Sequence, residues 1–192
     1  MAKNILIIQG HPDTREDHLC HALAAEYRSA ATDNHHEVRL LSVANLDFPL
    51  IANQHEFEHG EVPADIEQAQ QAIQWCDHLV IIYPLWLGTM PALLKGFLEQ
   101  TMRYGFALSL ESKGMPKRLL KGKSARLIVT MGMPAFVYRW FFGAHGVISL
   151  ERNILKLCGI KPVNHLFIGM VEDNARADKW FKKVRKIARA AR

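Results

Sequence analysis

Leu79–Gly105, LVIIYPLWLGTMPALLKGFLEQTMRYG, is the stretch on which the fold turns. Its first part, Leu79–Tyr83 with His78 ahead of it, is a short apolar run rich in β-branched residues and closed by Pro84. Such a run, bounded by a breaker, predicts a buried strand. Pro91 has the fixed φ and missing N–H that suit a first helical residue. Leu93, Leu94, Phe97, Leu98 and Met102 then follow at helical spacing. Between strand and helix, Pro84–Met90 carries Pro, Trp and Gly and no charge. A solvated connector would be polar, so this loop is expected to contact something flat and apolar.

Outward from this unit the same grammar repeats. Asn4–Gly10, NILIIQG, is a near-continuous apolar run, as in a strand buried on both faces of a parallel sheet. Gly10-His11-Pro12 breaks it, and a helix follows from Asp17 or His18, with Asp17 as candidate N-cap. Glu37–Val43 is the second strand, which makes a right-handed βαβ unit. Asn45–Glu61 reads as a long irregular loop, of the kind that carries function or a partner contact. Pro63 opens a helix over Asp65–Trp75. Beyond the opening stretch, Leu108–Lys123 is a second long connection and Ser124–Met131 the fourth strand. Gly132–Gly146 crowds Phe136, Tyr138, Trp140, Phe141 and Phe142 into one segment. Ser149–Cys158 is a helix stopped by Gly159, Lys161–Ile168 the fifth strand, and Asp173–Arg192 the last helix. Strands alternating with helices predict an α/β fold: a doubly wound five-stranded parallel sheet, order 2-1-3-4-5, with helices on both faces. One domain over residues 1–192 is expected. Neither GxxxxGK[ST] nor GxGxxG is present, which weakens the phosphoryl-transfer and dinucleotide Rossmann readings.

Composition narrows the classes further. No window reaches the ~18 apolar residues of a membrane span, so no integral membrane segment is expected. The short N-terminal apolar run reads as a strand rather than a signal peptide, which predicts a cytoplasmic protein. Cys20, Cys76 and Cys158 are widely spaced without CxxC, and are expected to pack as small apolar residues. His18 and His21 share a helix face but lack a third ligand, so no metal site is expected. The net charge of +5 concentrates in Lys113–Arg126 and Lys179–Arg192. In the latter, Lys and Arg alternate with Trp180, Phe181, Val184 and Ile187, the pattern of an amphipathic helix with one solvated side. That pattern predicts no nucleic-acid partner and, at most, a modest attraction for anionic ligands such as nucleotides.

The strand-end residues match a known pattern. Ile5–Leu23, ILIIQGHPDTREDHLCHAL, with Pro84-Leu85 and Met90–Glu99, MPALLKGFLE, resembles the flavodoxin-like NAD(P)H:quinone oxidoreductases. These include DT-diaphorase, bacterial quinone reductases and the ancillary proteins of potassium-efflux systems. The resemblance covers most of the chain, and PxxxxxxPxxLKG after a strand is its most specific part. It implies a single flavodoxin-like domain that binds FAD or FMN and takes electrons from NADPH or NADH.

Residue by residue, the resemblance makes the loop from His11 to His18, with Arg15 and Asp17, the flavin phosphate loop. Pro84, Leu85, Trp86 and Leu87 would lie along the isoalloxazine edge and offer it backbone N–H groups. Thr130, Met131 and Gly132 fall on the turn beneath the flavin. His145, in GAHG, aligns with a histidine near flavin and quinone. The family's tyrosine ahead of it falls on Arg139, with Tyr138 adjacent, so Tyr138 joins His145 as an expected catalytic residue. Glu99 and Arg176 match positions near FAD and tilt the cofactor towards it. Phe106 and Leu108 sit where substrate-facing residues are common. The implied chemistry is hydride transfer from NAD(P)H through the flavin to a quinone-like acceptor, in ping-pong order. An imidazole at position 145 could stabilise negative charge or give the acceptor a proton. Family members are commonly homodimers, a role for which the aromatic segment is suited. The same family supplies the competing expectation: a non-catalytic or weakly flavin-binding regulatory subunit partnered by a potassium-efflux-type transporter. Arg15-Glu16-Asp17-His18 departs from the family's Ser/Thr and Asn. Leu87-Gly88 stands in place of its Trp-Phe pair. A response-regulator-like module would need an acidic residue where Tyr83 and Pro84 stand.

Overall fold

The five apolar runs form five parallel strands, ordered β2-β1-β3-β4-β5 as expected. They are β1 (Asn4–Gln9), β2 (Glu37–Ser42), β3 (His78–Pro84), β4 (Ser124–Met131) and β5 (Val163–Gly169). The computed structural model describes residues 2–15, 17–109 and 116–191, with the backbone alone for Asn174. The expectations that fell on Glu16, Lys113 and Arg192 lie outside the described residues.

The strand pattern explains the layers. In β1, Leu6 and Ile8 point into one core, with Ile66, Ile73, Leu94, Phe97 and Leu150. Ile5 and Ile7 point into the other, with Leu23, Tyr27, Trp180 and Val184. Helices α1 (Leu19–Thr32) and α7 (Ala177–Ala190) therefore cover one face. Helices α3 (Ala64–Trp75), α4 (Ala92–Thr101) and the helical run from His145 to Cys158 cover the other. That run comprises α5 (His145–Ser149), a π-helical stretch over Leu150–Leu155 and α6 (Lys156–Cys158). It ends, as the glycine predicts, at Gly159 in the left-handed region (φ 104°). All three cysteines are buried free thiols, and burial pushes each up to about 11, which leaves them inert near neutrality. Among the described residues no helix is long and apolar enough to cross a membrane.

Several boundaries differ from the sequence reading. The N-cap of α1 is His18, not Asp17, and Asp17 is exposed. His18 makes no cap bond because its ring turns back to Asp13, 3.0 Å away. Pro91 is the N-cap of α4, still extended (ψ 147°), and the helix starts at Ala92. The aromatic segment contains a π-helical turn, Val137–Phe141. The helix expected from Ser149 begins at His145, the fifth strand begins at Val163, and the last helix begins at Ala177.

Asn45–Glu61 is not irregular throughout. It contains α2 (Gln54–His59), capped by Asn53, whose Oδ1 accepts the Glu56 N–H (2.9 Å). Glu56 accepts in return from Asn53 Nδ2 (2.7 Å) and from the Ala52 N–H (2.9 Å), a variant of the capping box. The segment is latched onto α4. Arg103 is buried, and its guanidinium donates to the carbonyls of Glu56 (2.8 Å), Gly60 and Glu61 (3.2 Å) and to Gln100 Oε1 (3.1 Å). Gln100 Nε2 in turn donates to the Pro49 carbonyl (2.7 Å). A Cβ on Gly96 would stand 2.5 Å from a Leu50 methyl, so the loop rests on the bare backbone of α4. Phe48 meets Phe97, and Phe57 meets Tyr104, edge to face.

Two outcomes follow from these buried groups. Arg103→Met leaves carbonyls that lack their charged donor, so stability should fall by ~2–4 kcal/mol in urea unfolding. Limited proteolysis should then cut first within residues 45–61. His78 is fully buried, and its Nδ1 is paired with Ser124 Oγ at 2.8 Å. Burial holds its imidazole down to about 3. The unfolded ring takes its proton near ~6.5, so unfolding takes up a proton as pH falls from there towards 3, and stability drops by up to ~1.4 kcal/mol per unit. The thermal midpoint of His78→Gln should therefore fall less between pH 7 and pH 4.5 than that of the parent.

Candidate active site

Parallel strands deliver their outgoing loops to one edge of the sheet, and those after β1, β3 and β4 meet there. The Gly10 N–H extends the β1–β3 ladder to the Ile82 carbonyl (2.8 Å). A side chain at Gly10 would strike Leu94 (2.7 Å), so the chain turns there on a glycine. Beyond it, the His11 N–H donates to Gln9 Oε1 (3.1 Å), and His11 Nδ1 accepts the Asp13 N–H (3.1 Å). The neutral ring therefore carries its proton on Nε2. Its pKa is lowered, first by burial and then by the neighbouring His18. His18 stacks on it at 4.0 Å, and Trp86 meets it edge-on at 6.0 Å.

The hub of this loop is Asp13, which sequence reasoning did not single out. Its carboxylate accepts from Arg15 N–H (3.0 Å), Arg15 Nε (2.9 Å), Arg15 Nη2 (2.7 Å) and His18 Nε2 (3.0 Å). The Arg15 guanidinium beside Asp13 holds its carboxyl well below the usual carboxylate range. His21 Nε2 donates to the Asp13 carbonyl (2.9 Å). Expected anion-holding residues His11, Arg15 and His18 are thus gathered around one carboxylate, while Asp17 stands outside at 3.7 Å from His18. The donors suit an anion. A phosphate here would take the place of the Asp13 carboxylate.

The loop after β3 is a tight reverse turn. Trp86 and Thr89 exchange both backbone bonds (2.9 and 3.0 Å) around Leu87 and Gly88, both at positive φ (47° and 81°), as in a type I′ turn. The Leu85 N–H donates to the Thr130 carbonyl (2.7 Å). This corrects one expectation: Pro84 has no N–H, and those of Leu85 and Trp86 serve the loop itself, not a ligand. What the turn presents outward is surface, with Leu87 fully exposed and Trp86 half-exposed.

The loop after β4 divides inside from outside. Thr130 is buried, with its hydroxyl 3.3 Å from Cys20 Sγ, and Met131 lies in the core. Gly132 is exposed, with open space where a Cβ would be. The chain then returns through the π-helical turn, whose buried Tyr138 donates its hydroxyl to the Gly88 carbonyl (3.0 Å). Burial raises the Tyr138 pKa, so the phenol stays a neutral donor. Leu87, Gly88, Met133, Tyr138, Phe142 and His145 together line a cavity of about 360 Å³. The two expected catalytic residues share it.

The remaining expected residues lie elsewhere. Glu99 pairs with Lys95 and, with Leu108, lines a separate apolar cleft of about 670 Å³ between α4, the 51–57 segment and Ser149–Cys158. That cleft is larger, and Asn53, Gln54, Lys95, Glu99, Ser149 and Asn153 supply its polar lining. Phe106 packs against the core. Arg176 bonds Asp173 (2.7 Å) and lines a third cavity, beside Phe136 and Trp180. Among the described residues no group of three or more His, Cys, Asp or Glu is placed to hold a metal ion.

The chain is similar to known proteins in sequence and in fold. An uncharacterized NAD(P)H oxidoreductase of Haemophilus influenzae is 29% identical over 181 residues, which span 90% of this chain and 88% of that protein. Rat NAD(P)H dehydrogenase (quinone) 1 is 25% identical over 151 residues, 73% of this chain and 54% of the relative. The chain thus spans about half the length of that relative. An FMN-dependent NADH-azoreductase from Bacillus anthracis, solved in complex with FMN, superposes with a TM-score of 0.77 over 98% of this chain and 100% of its own, at 16% identity. A model of the flavodoxin-like fold family matches residues 3–190, which takes in every strand and all the loops just described, and the chain belongs to that family.

Proposed function

We propose that the protein is a flavin-dependent NAD(P)H oxidoreductase that reduces quinone-like acceptors. The observation that carries this is the shared cavity of Tyr138 and His145, walled by the exposed turn after β3, with the loop after β1 touching that turn through His11 and Trp86. The pieces fit a flavin: apolar surface at Trp86 and Leu87 for a flat ring, unobstructed backbone at Gly88 and Gly132, and the Arg15 and His18 donors for its phosphate. A bound flavin supplies a two-electron relay between NAD(P)H and the acceptor. Trp86, Leu87 and Phe142, all exposed, would cover a ring bound there. Tyr138 fixes the turn through the Gly88 carbonyl and so holds the wall of the cavity. The His145 imidazole, at the cavity edge, donates a proton or hydrogen bond to the acceptor oxygen. Donor and acceptor use one cavity in turn, which gives ping-pong order.

FMN is the preferred cofactor, because Glu99 and Arg176, which tilted the sequence reading towards FAD, line other cavities. The FMN complex of the azoreductase supports the same choice. The chain acts as one cytoplasmic domain. Phe136 and Phe141, exposed by 67% and 81%, suit contact with a second copy of the chain. The catalytic reading is favoured over the regulatory-subunit reading, because a cavity with convergent polar groups serves no purpose in a plain docking module.

Purified protein should show flavin absorbance bands, or acquire them with added FMN, and should oxidise NADPH with menadione. A colourless protein that neither takes up flavin nor turns over overturns the reading. His145→Gln should lower kcat by about 10²-fold with flavin retained. Trp86→Ala should weaken flavin retention, measured by fluorescence titration. If both variants match the parent, the cavity is not the reaction site.

A further inference from the structure

The π-helical turn has two sides. Tyr138 and Phe142 face the reaction cavity, whereas Arg139 and Trp140 line a second cavity of about 540 Å³. Arg152 and Lys156, from the helical run after His145, line its other side. Glu151 is the one carboxylate in this lining, and it is occupied: Lys156 Nζ pairs with one oxygen, and His165 Nε2 stands 2.8 Å from the other. Burial lowers the His165 pKa, which favours the neutral ring near pH 7. Among the described residues neither Arg139 nor Arg152 meets a carboxylate. The cavity therefore carries a surplus of two positive charges. Trp140 is 78% exposed beside it, with the Arg139 guanidinium 5.5 Å from its ring centre, a surface on which a base can stack.

We propose that this second cavity receives the phosphorylated adenosine end of NADPH, with Arg139 and Arg152 on its 2′-phosphate and Trp140 against the base. A phosphate monoester carries close to the two negative charges that balance the cavity, and arginine is the side chain best shaped to bind one. The two cavities lie next to one another at Gly143. It lines the second, while the His145 ring of the first lies 2.9 Å from where a Gly143 Cβ would be. Arg139 also stands where the family resemblance places a tyrosine, so this preference belongs to the chain's own sequence. The inference rests on the proposed function and names its donor: NADPH over NADH.

The test is calorimetric titration of the purified protein with 2′,5′-ADP and with 5′-ADP. The former should bind at least ~10-fold more tightly, and the difference should vanish in an Arg139→Gln/Arg152→Gln variant whose circular dichroism and thermal midpoint match the parent. The NADPH-to-NADH ratio of kcat/KM should fall by a similar factor in that variant, while Arg152→Lys keeps much of it. Equal binding of the two nucleotides, or an unchanged preference in the double variant, overturns the inference. Calorimetry needs no flavin, so failure of the flavin reading stays distinguishable from failure of this one.

Discussion

One backbone hydrogen bond sets the geometry of the functional edge: the Leu85 N–H to the Thr130 carbonyl, 2.7 Å. It carries the β3–β4 ladder one residue past the paired Pro84 and Thr130. A parallel ladder requires that neighbouring strands leave on the same side, and this bond fixes how far they run together before parting. The turn after β3 then stands directly beside the loop after β4. Tyr138 fastens the two by its bond to the Gly88 carbonyl. Without those two ties the cavity wall would be a pair of free loops. With them it is an extension of the sheet, and the sheet is held by a central strand buried from His78 to Tyr83.

The loop after β1 is organised differently, by charge. Asp13 draws in Arg15 and His18, and the imidazoles of His11 and His18 stack as a result. Asp13 keeps the Arg15 and His18 donors converged. Asp17 faces solvent, where water screens its charge.

Sheet order, strand positions and the two helical layers were legible because each follows from a local pattern: apolar runs, helical spacing, and breakers such as Pro84 and Gly159. The site was legible only in part. His145 and Tyr138 line one cavity, but Glu99, Leu108 and Arg176 do not join them, because α4, the connection after it and the segment ahead of α7 carry these residues to other parts of the surface. Asp13 and Arg103 went unnoticed for a common reason. Each acts through partners that folding brings to it, either across a tight loop or from more than forty positions away, and neither belongs to a periodic pattern. The capping box at Asn53 and Glu56 was readable as N-x-x-E, but the polar character of the segment concealed it.

The glycine of LKG, at position 96, has a wider consequence. A glycine within a helix costs about 1 kcal/mol relative to alanine, and here the return is contact between Leu50 and bare backbone. The two positions thus share a single allotment of space. Over evolutionary time they should change together: a larger residue at 96 becomes acceptable only once 50 has shrunk, and a chain that keeps the glycine keeps the folded flap. The tripeptide is then a signature of how residues 45–61 lie against α4, inherited separately from whatever the strand ends have come to bind.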